Sequence, residues 1–249
     1  MTTMLGYSLP GGGRFYGMPN TTFSLLAAAT LLAAGMLLER YGRAALAAIA
    51  AAFVVVGLLN CVPGLGSDVG GLLTLMPVFG LTWLALSGRR VRVRHVATLA
   101  AAATALLVIL AAFDVLQPDD ARTHLGRLAA DVLDTGPGPL WDAIVRKESA
   151  NVRLLFHSPW SVALVVVLLV PLLLRTELSA PVRVAVMGNL ALAVLGLLAN
   201  DSGPVVVALA LFYLAPLLVV YRRCGEITPR RSLARAAAPH RASQASASP

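Results

Sequence analysis

Seven stretches of this chain, at about 21–38, 44–60, 71–88, 96–116, 159–175, 182–200 and 205–221, are apolar and almost free of charge. Each falls at or near the roughly 17–25 residues that a helix needs to cross bilayer hydrocarbon. The fifth and seventh hold Pro171 and Pro216, which neighbouring helices can accommodate as kinks. Nothing before the first span reads as a cleavable signal, since residues 1–20 are rich in Gly and Pro and lack a basic start.

Composition agrees. Of the 249 residues 58% are hydrophobic and 13% charged, and the mean hydropathy is +0.79. An ordinary soluble domain is about 45–50% apolar and about 25% charged. A soluble domain, a nucleic-acid-binding module and a disordered regulator are therefore poor readings despite the net charge of +8. The fold expected is all-α, an integral membrane bundle of about seven transmembrane helices with an extracytoplasmic amphipathic segment. Residues 1–20 form an outer N-terminal segment, 21–116 spans one to four, and 117–158 an outer helical loop. Residues 159–221 form spans five to seven, and 222–249 a disordered basic tail.

Arginine placement orients the bundle. One set of connections carries Arg40 and Arg43, then Arg89, Arg90, Arg92 and Arg94, then Arg175 and Arg183, and finally six arginines of the tail from Arg222 to Arg241. The opposite set carries Arg14, Arg122, Arg127, Arg146, Lys147 and Arg153. The positive-inside rule puts the richer set in the cytoplasm. The chain is then a multi-pass plasma-membrane protein with its N-terminus outside and its C-terminus inside. The two cysteines, Cys61 and Cys224, fall on opposite faces and are expected to stay unpaired with each other.

Polar groups that are not topology signals collect on the outer side, where they are the first candidates for a site. They form four clusters: 13–20, 64–71, the long segment 117–157, and 200–204. Asn20, Asp68 and Asp201 can each be read as helix N-caps or as site residues. Arg14 and Tyr16 sit in a glycine-rich run that lets backbone approach a ligand. In the long segment, Leu125, Leu128, Ala129, Val132 and Leu133 follow helical periodicity and predict an amphipathic helix over 121–133. Asp119 and Asp120 stand at its start, and His124, Arg127, Asp131 and Asp134 lie on its other face. The run Gly136-Pro137-Gly138-Pro139 ends it, and a second helix follows from Leu140 to Leu155 or beyond. These two helices either lie in the membrane interface or fold over the mouth of the bundle as a lid.

The chemistry suggested is anion handling. Arg14, Arg122, Arg127, Lys147 and Arg153 suit a phosphate, with Tyr16 and Asn20 beside them. His124 offers an imidazole as proton donor or acceptor, and Asp68 or Asp201 offers a carboxylate base. No zinc motif, phosphate loop, nucleophile elbow or dinucleotide fingerprint is present, and Asp119-Asp120 reads as a cap before it reads as a metal site. No metal site is assigned, and no cofactor is identified.

The set Arg14-Phe15-Tyr16-Gly17-x-x-Asn20, Leu65-Gly66-x-Asp68-x-Gly70-Gly71, Arg122-Thr123-His124-Leu125-Gly126-Arg127 and Asn200-Asp201-Ser202-Gly203 resembles a family of polytopic bacterial membrane proteins, common in actinobacteria, with no firmly assigned activity. The resemblance spans about residues 10–215. In that family the arginine-phenylalanine-tyrosine run lies further from the start, which implies a shortened member. In layout the chain is also similar to the O-antigen ligase and polymerase group, through Asn20, the turn Gly66 to Gly71 and an outer loop with Arg122, His124 and Arg127. That group has an arginine where this chain has Asp68.

Three functions are then in play. One is an envelope-assembly enzyme, or part of one, that handles a lipid-linked phosphate or glycan at the outer face. Another is a non-catalytic scaffold for a partner membrane protein, to which small residues such as Ala27-Ala28-Ala29 and Ala100 to Ala103 are suited. The third is a transporter or flippase, for which mid-membrane polar groups are few, Asn189 being the main one. In each case the lipid bilayer is the immediate partner, and nucleic acid is not.

Overall fold

The computed structural model describes residues 18–61, 69–157, 165, 178–200, 202–214, 216–217 and 219–220. Every secondary-structure element among them is helical. Helix α1 runs Asn20–Tyr41 and α2 Leu46–Cys61, joined by a 3-10 turn at Gly42–Ala45. Then follow α3 Val69–Leu86, α4 Val93–Val115, α5 His124–Thr135 and α6 Gly138–His157. Helix α7 is Ala180–Ala199 and α8 Gly203–Phe212. Three helical runs, Asn20–Cys61, Val93–Val115 and Ala180–Ala199, are long and apolar enough to cross a membrane, and α3 and α8 are shorter apolar helices. The expected fifth span, 159–175, lies outside the described residues apart from Val165, as does the tail.

The 42-residue run Asn20–Cys61 does not continue as a single rod. Gly42 adopts φ +60, a conformation open mainly to glycine, and its N–H returns to the Leu38 carbonyl. The chain reverses there and α2 packs beside α1.

Registers follow from a few close approaches. Phe53 stacks on Phe79 with centroids 4.4 Å apart, and Trp83 Nε1 donates to the Leu46 carbonyl at 3.3 Å. Helices α2 and α3 are therefore antiparallel, and the C-terminal end of α2 lies beside the start of α3. Helix α7 occupies the centre, against α1, α3 and α8. Gly188 lies against Thr82 and Leu31, Gly35 against Ala185, and Gly70 against the Ala199 carbonyl. So α7 is antiparallel to both α1 and α3. Gly80 receives Leu99, which sets α4 antiparallel to α3.

Small residues mark the close helix approaches, and many large apolar side chains point outward. Ala27, Ala28, Ala34, Gly35, Ala185, Gly188, Ala193 and Gly196 are buried where α1 and α7 approach their neighbours. Val54, Leu58, Val108, Ile109, Phe113, Met187, Val194 and Leu198 point outward and are exposed. In water such a surface would drive association, whereas in lipid it costs nothing and small residues let helices close. Hydroxyls are satisfied within their own helices: Ser24, Thr30, Thr74, Ser87, Thr98 and Thr104 each donate to the carbonyl four residues earlier.

These registers sort charge between the two ends. Arg40, Arg43, Arg89, Arg90, Arg92, Arg94 and Arg183 stand at one end of the bundle. At the other end meet the starts of α1, α3 and α8, the last turns of α2, α4 and α7, and the pair α5–α6.

Candidate functional site

The arginine-poor end is built around asparagine. Asn151, on α6, is 5% exposed and makes three hydrogen bonds. Its Nδ2 donates to the carbonyls of Leu197 (3.2 Å) and Asn200 (3.1 Å), and its Oδ1 accepts from the Gly203 N–H at 2.9 Å. One side chain thus satisfies the last carbonyls of α7 and the first amide of α8, groups that a helix cannot pair by itself. One turn earlier on α6, Lys147 Nζ donates to the Ala199 carbonyl at 2.6 Å. A cation there also complements the negative end of the α7 dipole.

The start of α1 joins the same turn. Asn20 Nδ2 donates to Ser202 Oγ at 2.7 Å. The residue in the cap position of α1 is Pro19, and no side chain caps the helix, so Asn20 is no N-cap but a tie between α1 and α8. Gly70 brings α3 against this turn: a Cβ there would stand 2.6 Å from the Ala199 carbonyl oxygen and 3.0 Å from Asn200 Oδ1.

Several polar atoms at this end are buried without a hydrogen-bond partner: Asn20 Oδ1, Thr21 Oγ, both side-chain atoms of Asn60, and Asn200 Nδ2. Asn60 and Asn200 are 1% and 2% exposed. A lone buried amide of this kind costs roughly 1–3 kcal/mol in proteins. Asn189, near the middle of α7, is fully buried too, its Nδ2 reaching the Ala185 carbonyl at 3.2 Å and its Oδ1 unpaired. Among the described residues no three His, Cys, Asp or Glu groups lie together as a metal site would require.

Of the residues singled out by sequence, Asn20 and Lys147 meet at the α7–α8 turn. Arg14, Tyr16, Asp68 and Asp201 lie outside the described residues. His124 and Arg127 are exposed on the same side of α5, with Asp131 and Asp134 beside them, as the periodicity predicts. Arg153 is exposed on α6. Arg122 is engaged within its own turn: its Nε donates to the carbonyls of Val115 (3.1 Å) and Gln117 (3.0 Å), and it pairs with Asp119 at 2.5 Å.

Two local expectations need correction. Helix α5 begins at His124 rather than Ala121, and its start is not held by Asp119 or Asp120. Thr123 is the N-cap, its hydroxyl accepting from the Leu125 N–H at 3.2 Å. The carboxylate at the dipole comes from Asp114 of α4, which accepts from the amides of Thr123 (3.1 Å) and Gly126 (2.7 Å) and from the Thr123 hydroxyl. A side chain at position 126 would fall on that carboxylate, so glycine is required there. Likewise α6 starts at Gly138 rather than Leu140, straight after Gly136 at φ +88 has ended α5. Asp114→Ala removes the acceptor of three hydrogen bonds and is expected to cost about 1–2 kcal/mol. Hydrogen exchange in a peptide covering 116–130 should rise, with the rest of the bundle still protected.

Asn60 and Thr21 were missed by sequence reasoning, and Asn200 was seen only as part of a turn. The available signal was an amide within an apolar run, Leu58-Leu59-Asn60-Cys61. For Asn151 it was the i, i+4 spacing from Lys147, which puts both on one helix face. No family model, curated protein or solved structure matches this chain.

Proposed function

We propose that this is a seven-span plasma-membrane protein that handles the polar head of a lipid-linked phosphate or glycan at its extracytoplasmic end, as a component of cell-envelope assembly. The arginine-rich end faces the cytoplasm, which puts the asparagine cluster, α5 and α6 outside. The observation that carries the reading is the set of unpartnered buried groups on Asn20, Thr21, Asn60 and Asn200, gathered at one end. Neutral amides and hydroxyls match sugar hydroxyls and phosphate oxygens, and a protein keeps such costly groups in an apolar bundle where a ligand uses them. His124 and Arg127 supply the ionisable chemistry on the solvent face of α5, and Asp68, Asp201, Arg14, Tyr16, Lys147 and Arg153 are the further candidates for the same end.

Asn60→Leu separates site from structure. It replaces two unpaired polar atoms by methyl groups on the same branched frame, so stability should rise by about 1–2 kcal/mol. In a deletion strain, the leucine variant should fail to restore the normal level of lipid-linked envelope intermediates although it melts later than wild type. Full restoration by Asn60→Leu would remove the basis of the proposal.

A partner membrane protein is a second reading, favoured by α4. Only Ala103 of its 23 residues is buried, so the helix presents a long apolar side to a neighbour. A stoichiometric partner retained in mild detergent, and lost when large residues replace Ala100 and Ala101, is the result expected.

A further inference from the structure

Helix α6 presents three distinct faces. At about 100° per residue, Ala143, Lys147, Ala150, Asn151 and Leu154 form one side, and the structure turns it to the bundle. About 110° round from it, Asp142, Arg146, Ser149 and Arg153 form an exposed polar stripe. The remaining sector holds Trp141, Ile144, Val145, Val152 and Phe156, all exposed, Trp141 at 66% and Phe156 at 72%. An open furrow of about 520 Å³ runs along it, lined by Trp141, Ile144, Val145, Glu148 and Val152 among others.

We infer that this sector is a docking surface for the outer leaflet of the bilayer, with α6 lying in the plane of the interface. The inference rests on the chain being a membrane protein. Two observations carry it. The first is depth: Lys147 and Asn151 bind the last carbonyls of α7, a helix of 20 residues, or about 30 Å. That is the thickness of the hydrocarbon core, so α6 sits at its boundary. The second is the order of the faces. A helix beside a bundle at that level has protein on one flank, water above, and lipid below and on the far flank. With the bundle and water directions taken by the two polar sides, the apolar sector spans the two directions left. Glu148 is the one charged residue in that sector, and it keeps the face at headgroup depth and out of the hydrocarbon centre. Arg146 and Arg153, on the water side, stand where lipid phosphates lie.

The test uses tryptophan quenching in vesicles of phosphatidylcholine with phosphatidylglycerol, some carrying acyl chains brominated near the glycerol and others near the methyl end. The Trp141 signal is the difference between wild-type and Trp141→Phe protein, which leaves Trp83 and Trp160 in place. Bromine near the glycerol should cause the larger loss of Trp141 emission, and Val152→Asp, whose side chain points away from the bundle, should reduce that loss. A Trp141 signal quenched by neither lipid overturns the inference; residues 158–177 or a partner protein would then cover the face. Stronger quenching by the deep bromines also overturns it, because α6 would then run through the core. If the protein washes off the vesicles in alkaline carbonate, the membrane reading itself fails, which is a separate result.

Discussion

Asn151→Leu should destabilise the bundle by about 3 kcal/mol, more than any other side-chain truncation at this end. The substitution keeps the branched frame of the side chain, so the loss is chiefly one of hydrogen bonding. The Leu197 and Asn200 carbonyls and the Gly203 amide all lose their partner together. Each buried group left unpaired costs roughly 1–3 kcal/mol in soluble proteins and nearer 0.6 kcal/mol in membrane bundles, where unfolded segments find other partners. Three groups on one turn place the total between those limits. Asn151→Asp should be no better, since it keeps the acceptor for Gly203 but loses both donors and brings a charge into a site 5% exposed. Lys147→Met loses the bond to the Ala199 carbonyl and should cost about 1 kcal/mol or more. Thermal unfolding in detergent reads all three. If Asn151→Leu melts with the wild type, α6 does not clasp the α7–α8 turn.

Glycine substitutions should rank by what the new methyl group meets. Gly203→Ala is the most damaging, because its Cβ would stand 2.8 Å from the Leu197 Cα and 3.0 Å from its carbonyl carbon. Backbone cannot rotate aside, so the α7–α8 turn must open, at a cost of about 3 kcal/mol or more. Gly70→Ala comes next, against the Ala199 carbonyl oxygen at 2.6 Å. Gly188→Ala meets the Thr82 hydroxyl at 2.6 Å, a side chain that can turn away, and should be milder. Gly57→Ala has nothing within 4 Å and should be neutral or stabilising by up to about 1 kcal/mol, since alanine is the better helix former. Folded yield on size-exclusion chromatography and melting temperature give the order. Equal effects at Gly203 and Gly57 would contradict the packing described.

Much of the helical layout is readable without the fold. Apolar run length predicts α1 as 21–38 and α7 as 182–200, against observed Asn20–Tyr41 and Ala180–Ala199. The agreement is close because the solvent sets that length, whatever the helices touch. The polar side of α5 is equally legible, since His124, Arg127, Asp131 and Asp134 need only the helical period. Its start is not. The carboxylate at its first turn belongs to Asp114, nine residues before the Thr123 cap, and only the packing of α5 on α4 shows that Asp119 faces Arg122 instead.

Helix α6 shows where sequence reasoning stops. Its large exposed apolar residues gather in one sector, and the usual rule would turn that sector inward. The structure turns Lys147 and Asn151 inward, because the end of the bundle offers unpaired carbonyls and amides from α7 and α8. The candidate site is hidden for the same reason. Asn20, Asn60 and Asn200 are 40 to 180 positions apart in the chain, and nothing local marks them as buried at one end.

The apolar runs and the arginine-rich connections, read alone, determined a helical chain with runs long and apolar enough for lipid and with more of its arginines expected at one end, because hydrophobic length and net charge are sums over neighbouring residues. Which polar groups stay unpaired, which side of α6 meets the bundle, and that Gly70 and Gly203 must lack a side chain were decided by tertiary structure alone. Those depend on backbone groups at the ends of other helices, and a helix end has no partner until another element reaches it.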